Sequence, residues 1–286
     1  EAKIEELFPL GPLHNPANLA GIRSFKEILP DTPQVAVFDT AFHQTMAPEQ
    51  YLYAVPYSWY ENYKVRKYGA HGTSHRYIAL SIAEELGRDD LKVISCHLGN
   101  GGSITAIKDG KCVDTSMGFT PLAGIMMGTR SGDIDPSIIP FVMEKEGKNA
   151  GEIIDDLNKK SGFLGLSCLS SDSRDVENGI AEGNEKCRLA QDKYIRTVVD
   201  HIAKYYVLLG GCDVLCFTAG IGENSKVVRA EIIEKLSEII LPIFDVLSSR
   251  GNIIKELKNY PEFNSLRNHL ADKDIEDAKA VADTLN

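Results

Sequence analysis

Residues 91–115 read LKVISCHLGNGGSITAIKDGKCVDT. Three apolar, partly β-branched runs in this stretch, Leu91 to Cys96, Ser103 to Ile107 and Lys111 to Thr115, have the composition of strands. His97-Leu98-Gly99-Asn100-Gly101-Gly102 joins the first run to the second, and Lys108-Asp109-Gly110 joins the second to the third. Asp-Gly is a tight hairpin signal, because both central residues of that turn need positive φ. The order is strand, glycine loop, strand, tight turn, strand.

Outward from this core, Asp213 to Phe217 and Gln34 to Phe38 have the same strand character. Thr73 or Ser74 is placed to cap a helix that runs to about Leu86, with Gly87 as its stop. From about Asn184 to Leu209, apolar residues at Ile195, Val198, Val199, Ile202, Tyr206 and Leu209 keep helical spacing, and Gly210-Gly211 ends the run. A further amphipathic helix is expected after Asn224. Alternating strands and helices with one hairpin predict an α/β fold, a mixed sheet flanked by helices. From about Asp245 to Asn286 the chain turns polar and only weakly periodic, which predicts short helices and loops.

The chain has 286 residues, 43% hydrophobic and 25% charged, enough for one large domain or two smaller ones. Its net charge is -10, with no dense basic stretch, so nucleic acid is not an expected partner. No apolar run approaches the roughly 18 residues of a membrane span. The first residues, Glu1 to Glu6, lack the features of a secretion signal, and a cytoplasmic protein is expected. Cys96, Cys112, Cys168, Cys187, Cys212 and Cys216 form no C-x-x-C pair, which favours buried free thiols over disulfides or a zinc site.

Five segments have the residue types for chemistry. In residues 96–103 the glycines let backbone amides approach an anion, and Asn100 adds a side-chain donor; the same loop also serves as a plain hairpin corner. In residues 126–136, Arg130 lies between two glycines and offers a planar fork to phosphate or carboxylate, or else pairs with Asp133 or Asp135. Asp135-Pro136 has the form of a helix start. Residues 217–225 leave a strand, turn on Gly220 and Gly222 and enter a helix, an anion site or an ordinary strand-to-helix turn. In residues 68–75, His71 between glycines is expected on display, a donor to a phosphoryl group or a partner of a carbonyl, whereas His75 is expected to be structural. Asp39, at the end of an apolar run, suits a magnesium contact or the capping of the next turn.

Taken in order, the stretches PLGPLHNPANL, VFDTAFH, YGAHGTSH, HLGNGGSI, MGFTPLAGIMMGTRSGDIDP, SSDSRD and FTAGIGENS resemble the acetate kinase family, which includes propionate and butyrate kinases. The resemblance covers residues 1 to about 240. It implies the actin-like sugar-kinase fold, ribonuclease H-like, and reversible transfer of the ATP γ-phosphate to acetate, giving acetyl phosphate and ADP by direct in-line attack. By that resemblance Arg130, His71 and Asn100 would contact the phosphoryl group, and Asp39 would serve Mg²⁺ or orient the acceptor. His97, Gly99, Asn100 and Gly101, with Asp172, Arg174, Gly220, Ile221 and Asn224, would hold ATP or ADP. Leu13, Ala70 and Pro121 would line the acceptor pocket. A homodimer is implied, with no nucleic-acid or membrane partner.

The chain also departs from the family pattern. The Asn-x-Gly-Ser-Ser-Ser-x-x-Lys segment that usually opens members, and the Glu-Glu-x-x-Ile-Ala segment near their end, have no counterpart in it. Ala70 stands where a Phe is usual and Ala123 where a Glu is usual. These departures lead to the expectation that residues 1–41 are a remnant of an N-terminal domain and 42–286 a C-terminal nucleotide-binding domain, with 245–286 outside the family. They also raise an alternative function, a catalytically incomplete nucleotide-binding relative.

Overall fold

The computed structural model describes residues 1–8 and 15–249. Leu13 and the expected short helices of the last stretch beyond Ser249 lie outside the described residues. Two helices come first, α1 (Ala2–Glu6) and α2 (Asn15–Ile28), then the short α3 (Pro48–Tyr51) and α4 (Tyr57–Tyr63). Helix α5 (Gly72–Leu86) leads into β1 (Lys92–Leu98), β2 (Gly102–Lys108) and β3 (Lys111–Thr115). After these come α6 (Ile138–Glu146), α7 (Ala150–Lys159), α8 (Gly162–Ser167), α9 (Ser173–Ala181) and the long α10 (Glu185–Leu209). Strand β4 (Val214–Thr218), α11 (Ala219–Asn224) and α12 (Lys226–Ser249) complete the described chain.

The sheet order is β3-β2-β1-β4, with β1 parallel to β4 and antiparallel to β2. Asp109 and Gly110 both take positive φ, 52° and 70°, the conformation the Asp-Gly signal predicts. Side chains alternate across the strands. Ile94, Cys96, Leu98, Ile104 and Ala106 face one way, into a cluster with Val198, Val199, Ile202, Tyr194 and Tyr205 of α10. Val93, Ser95, His97, Ser103, Thr105 and Ile107 alternate with them, and α5 packs on β1 from that second side.

Helix α10 begins where the sequence places it. Asn184 Oδ1 accepts from the amides of Lys186 and Cys187 and so caps the first turn, and Gly210 at φ 65° ends the last. Its fully buried tyrosines are Tyr194 and Tyr205, while Tyr206 is only half-buried, one position off the expected stripe.

Other expectations are corrected. Gln34 to Phe38 is not a strand: among the described residues no strand pairs with it, and Val35 and Val37 are 86% and 70% exposed. An apolar run needs a neighbour to form a ladder. Helix α6 starts two residues after Pro136, because Asp135 Oδ1 first accepts from the Ser137 amide in a turn. All six cysteines are free, but Cys168 is exposed and Cys216 half-buried, so burial holds for only four.

Candidate functional site

Four parts of the chain meet at the glycine loop between β1 and β2. A methyl group built on Gly101 sits 3.4 Å from Arg130 Nη1 and 3.7 Å from His71 Nε2. On Gly99 it sits 3.6 Å from the Ala219 methyl, at the start of α11, and 4.0 Å from His97 Nε2. On Gly128 it would overlap Asn100 Oδ1 and lie 2.9 Å from the Ser171 carbonyl oxygen, so only glycine fits there. The Gly128 amide donates to the Asn100 carbonyl at 3.0 Å, which ties the arginine loop to the glycine loop. Arg130 and His71 therefore converge on the Gly101 backbone, and the Asn100 side chain lies beside Gly128.

His71 is half-buried rather than displayed. Its ring stacks on His97 with centroids 4.1 Å apart, and its Nδ1 lies 2.9 Å from Ser103 Oγ. Burial, then the neighbouring His97, lowers its pKa to about 4, against a smaller upward pull from Asp39. The ring is neutral at ordinary pH. His97, whose Nδ1 lies 2.9 Å from Ser74 Oγ, is lowered by burial too, although Asp39 and Glu223 pull it upward.

The cap of α5 also differs from expectation. The helix starts at Gly72 with His71 as its N-cap at φ 57°, and neither Thr73 nor Ser74 caps it. Asp39 does so from a distant part of the chain: its carboxylate accepts from the His71 amide at 2.6 Å and the Thr73 amide at 3.3 Å, and its carbonyl from Gly72 at 2.8 Å. Asp39 thus aims His71, and two of its lone pairs are occupied in doing so.

Arg130 is half-buried and does not pair with Asp133 or Asp135. Its Nη1 donates to the Pro121 carbonyl at 3.2 Å, and Asp133 instead accepts from the Gly124 amide at 2.8 Å. Burial alone lowers its pKa, so the guanidinium is a partly dehydrated cation. Pro121 stands beside Arg130, and Ala70 precedes His71 and accepts from His43 Nε2 at 2.9 Å, which puts these two expected pocket residues at the cradle's edges.

The third loop is less open than its sequence suggests. Helix α11 has six residues, and the Ala219 amide at its start donates to Glu223 Oε1 at 2.9 Å, with the Thr218 hydroxyl at 3.1 Å. Gly220 has open space where a side chain would be, whereas Gly222 packs on Leu98 and Cys96 of β1. Ile221 is buried, and Asn224 Nδ2 donates to the Gly220 carbonyl at 2.8 Å. Asp172 caps α9 and is held down to about 2 by Arg174, whose Nη2 lies 2.5 Å from its Oδ2. Ser225 Oγ donates to Glu177 at 2.7 Å and joins α9 to the 220–224 turn. A cavity of about 300 Å³ opens beside this region, lined by Leu169, Ser170, Asp175 and Asn178 among others.

The acetokinase family model matches residues 1–252. The chain belongs to the acetokinase family. This match runs past the roughly 240 residues covered by the sequence motifs, into the stretch expected to lie outside the acetokinase pattern. The acetate kinase of Geobacillus kaustophilus is 58% identical over 236 residues, 82% of this chain and 60% of that protein. Acetate kinase 1 of Listeria monocytogenes is 56% identical over 260 residues, 90% of this chain and 65% of that protein. Among solved structures, Porphyromonas gingivalis acetate kinase superposes with a TM-score of 0.79 at 49% identity, over 82% of this chain and 60% of that one. A Francisella tularensis propionate kinase gives 0.81 at 47% identity, over 83% and 62%. The chain spans about three-fifths of the length of the curated relatives it matches. Its α/β sheet flanked by helices is the actin-like fold of the acetokinase family.

The sequence did not single out Ser95, Ser103 or Glu223 and offered Ser74 only as a helix cap, yet all four brace the site. The available signal was alternation: Ser95 and His97 share one strand face, and register pairs them with Thr105 and Ser103. Among the described residues no group of three His, Cys, Asp or Glu is placed to hold a metal ion. Magnesium on a nucleotide needs only one or two carboxylates besides phosphate oxygens and water, a requirement that the exposed Asp39 fits. Among the described residues no helix is long and apolar enough to cross a membrane.

Proposed function

We propose that the site serves phosphoryl transfer between ATP and acetate, giving acetyl phosphate and ADP. The observation that carries this is the shared point at Gly101, within 3.4 Å of Arg130 Nη1 and 3.7 Å of His71 Nε2. A neutral imidazole and a partly dehydrated guanidinium converge where backbone amides can also point. Such fixed donors suit the three equatorial oxygens of a phosphoryl group in flight.

In this reading the acetate oxygen attacks the γ-phosphorus in line, a P–O bond forms, and the bond to ADP breaks with its electrons on the β-phosphate. Arg130 and His71 donate to the equatorial oxygens, and Asn100 holds the arginine loop against the glycine loop. No side chain needs to take a proton, because a carboxylate is already anionic. Mg²⁺ would neutralise phosphate charge when bound, and Asp39 is the residue proposed to meet it. Residues 172–174 and 220–224 take the adenosine portion, and Ala70 and Pro121 flank the acceptor. We assign the chain from residue 42 onward to a nucleotide-binding domain and residues 1–41 to part of a second domain; a cytoplasmic homodimer follows the family pattern.

The alternative reading is nucleotide binding without transfer. A hydroxamate assay with ATP, Mg²⁺ and acetate, run beside binding of a non-hydrolysable ATP analogue, separates the two. Hydroxamate formation supports the kinase, and binding without turnover supports the second reading. Absence of both defeats the assignment.

A further inference from the structure

His75 and two serines play no part in the scheme above, yet they are fully buried on the sheet face behind His71. Ser95 Oγ lies 2.9 Å from His75 Nδ1, His75 Nε2 lies 2.7 Å from Ser103 Oγ, and Ser103 Oγ lies 2.9 Å from His71 Nδ1. The four side chains form one unbranched line ending at the cradle. We propose that Ser95, His75 and Ser103 are positioning residues that fix His71 in the tautomer carrying its proton on Nε2, so that a neutral ring presents a donor to an anion seated against Gly101 and Arg130.

The inner end of the line sets its direction. Each serine has one hydroxyl proton, and each neutral histidine has one ring proton. In one arrangement Ser95 donates to His75 Nδ1, His75 Nε2–H to Ser103, and Ser103 to His71 Nδ1, which leaves the His71 proton on Nε2. Every buried proton then has an acceptor. In the reverse arrangement His71 Nδ1–H starts the line and Ser95 ends it, with its hydroxyl proton needing an acceptor. Among the described residues, His75 Nδ1 is the only hydrogen-bond partner of Ser95 Oγ, so the reverse buries an unmatched donor. Burial keeps His75 neutral, well below the usual imidazole pKa, so no extra proton blurs the count.

His43 offers an internal reference. Its Nε2 lies 2.9 Å from the Ala70 carbonyl, which only accepts, so its tautomer is known and independent of the line. Imidazole ¹⁵N NMR of the full chain without nucleotide, labelled at histidine and held at pH 7.5, reads each ring's tautomer. The expected result is Nε2–H at His71, His75 and His43. Ser103→Ala should mix the His71 tautomers and leave His43 unchanged, with Ser103→Thr restoring the single form. Ser95→Ala should mix both His75 and His71, and it serves where Ser103→Ala does not fold. Nδ1–H at His71 in the unaltered chain, or a native-like Ser103→Ala chain with His71 unchanged, overturns the proposal. The donor role rests on the phosphoryl site proposed above, and binding of an ATP analogue measured on the same sample keeps the two apart. A missing analogue with Nε2–H at His71 removes the site and leaves the relay. A bound analogue with Nδ1–H removes the relay and leaves the site.

Discussion

The two faces of the sheet are built from the same strands and do opposite work. Toward α10, Ile94, Cys96, Leu98, Ile104 and Ala106 are fully buried among apolar side chains. On the other face, Ser95, His97, Ser103 and Thr105 form a polar layer, and α5 lays His75 and His71 against it. The first face gains stability from dehydration and close packing. The second buries hydroxyls and imidazoles that must all be matched, and in return it holds a donor at a fixed point. Stability and chemistry are thus separated by the two-residue period of a strand.

The largest effect should come from the polar side. Arg130→Ala should lower phosphoryl transfer by about a thousandfold or more, the range for a guanidinium that stabilises transferring phosphate. Its denaturation midpoint should stay close to that of the unaltered chain, since Arg130 makes one side-chain bond to a backbone oxygen, at Pro121. A variant with near-normal transfer would remove Arg130 from the chemistry.

Ile104→Ala tests the opposite face. Ile104 is fully buried in the α10 cluster, and truncation should cost about 3 kcal/mol in urea unfolding. Affinity for the ATP analogue should hold wherever the variant is folded. A large loss of affinity at full folding would show that the two faces are not separable.

Acid sharpens the contrast, because the polar side carries a group of buried and half-buried histidines. Burial lowers the pKa values of His43, His71, His75 and His97. When the folded value lies below the unfolded one, the unfolded chain binds more protons in acid. Stability from these groups is then complete above about pH 6.5 and is lost as pH falls toward the folded value. For His71, lowered to about 4, the loss amounts to roughly 3 kcal/mol by the end of that window. Urea midpoints at pH 7.5 and 5 should show it, and His75→Asn should flatten the slope. The Ile104→Ala penalty should be equal at both pH values, and a slope untouched by His75→Asn would discard this account.

What the sequence made legible follows the same division. Strands β1 to β3 were readable because β-branched runs and Asp109-Gly110 are local signals, and α10 because Asn184 and the apolar spacing agree. Gln34 to Phe38 has strand composition, but pairing depends on a neighbour that composition does not reveal. At the site, Arg130, His71 and Asn100 announced themselves by flanking glycines. Asp39 was seen as a metal or capping residue, but its hold on His71 joins residues 32 apart and has no local trace. Ser95 and Ser103 were hidden because a hydroxyl in an apolar strand resembles ordinary strand composition. Only the register of His97 opposite Ser103 exposes the polar layer.

The smallest effect is expected farthest from both faces, at Arg174. Its side chain is 84% exposed and pairs with Asp172, itself 38% exposed, so the ion pair is screened by water. Arg174→Ala should therefore leave the thermal midpoint unchanged, while Asp172 still caps α9 through the Arg174 amide at 2.9 Å. If residues 172–174 meet the adenosine portion, the same change should weaken ATP-analogue binding about fivefold, the size of one exposed hydrogen bond. The loss should shrink in high salt, because a charge at this depth acts through solvent. Affinity indifferent to Arg174→Ala at low salt would confine the nucleotide to the glycine loop, Arg130 and the turn at Gly220, leaving the pair at α9 as a surface feature of that helix.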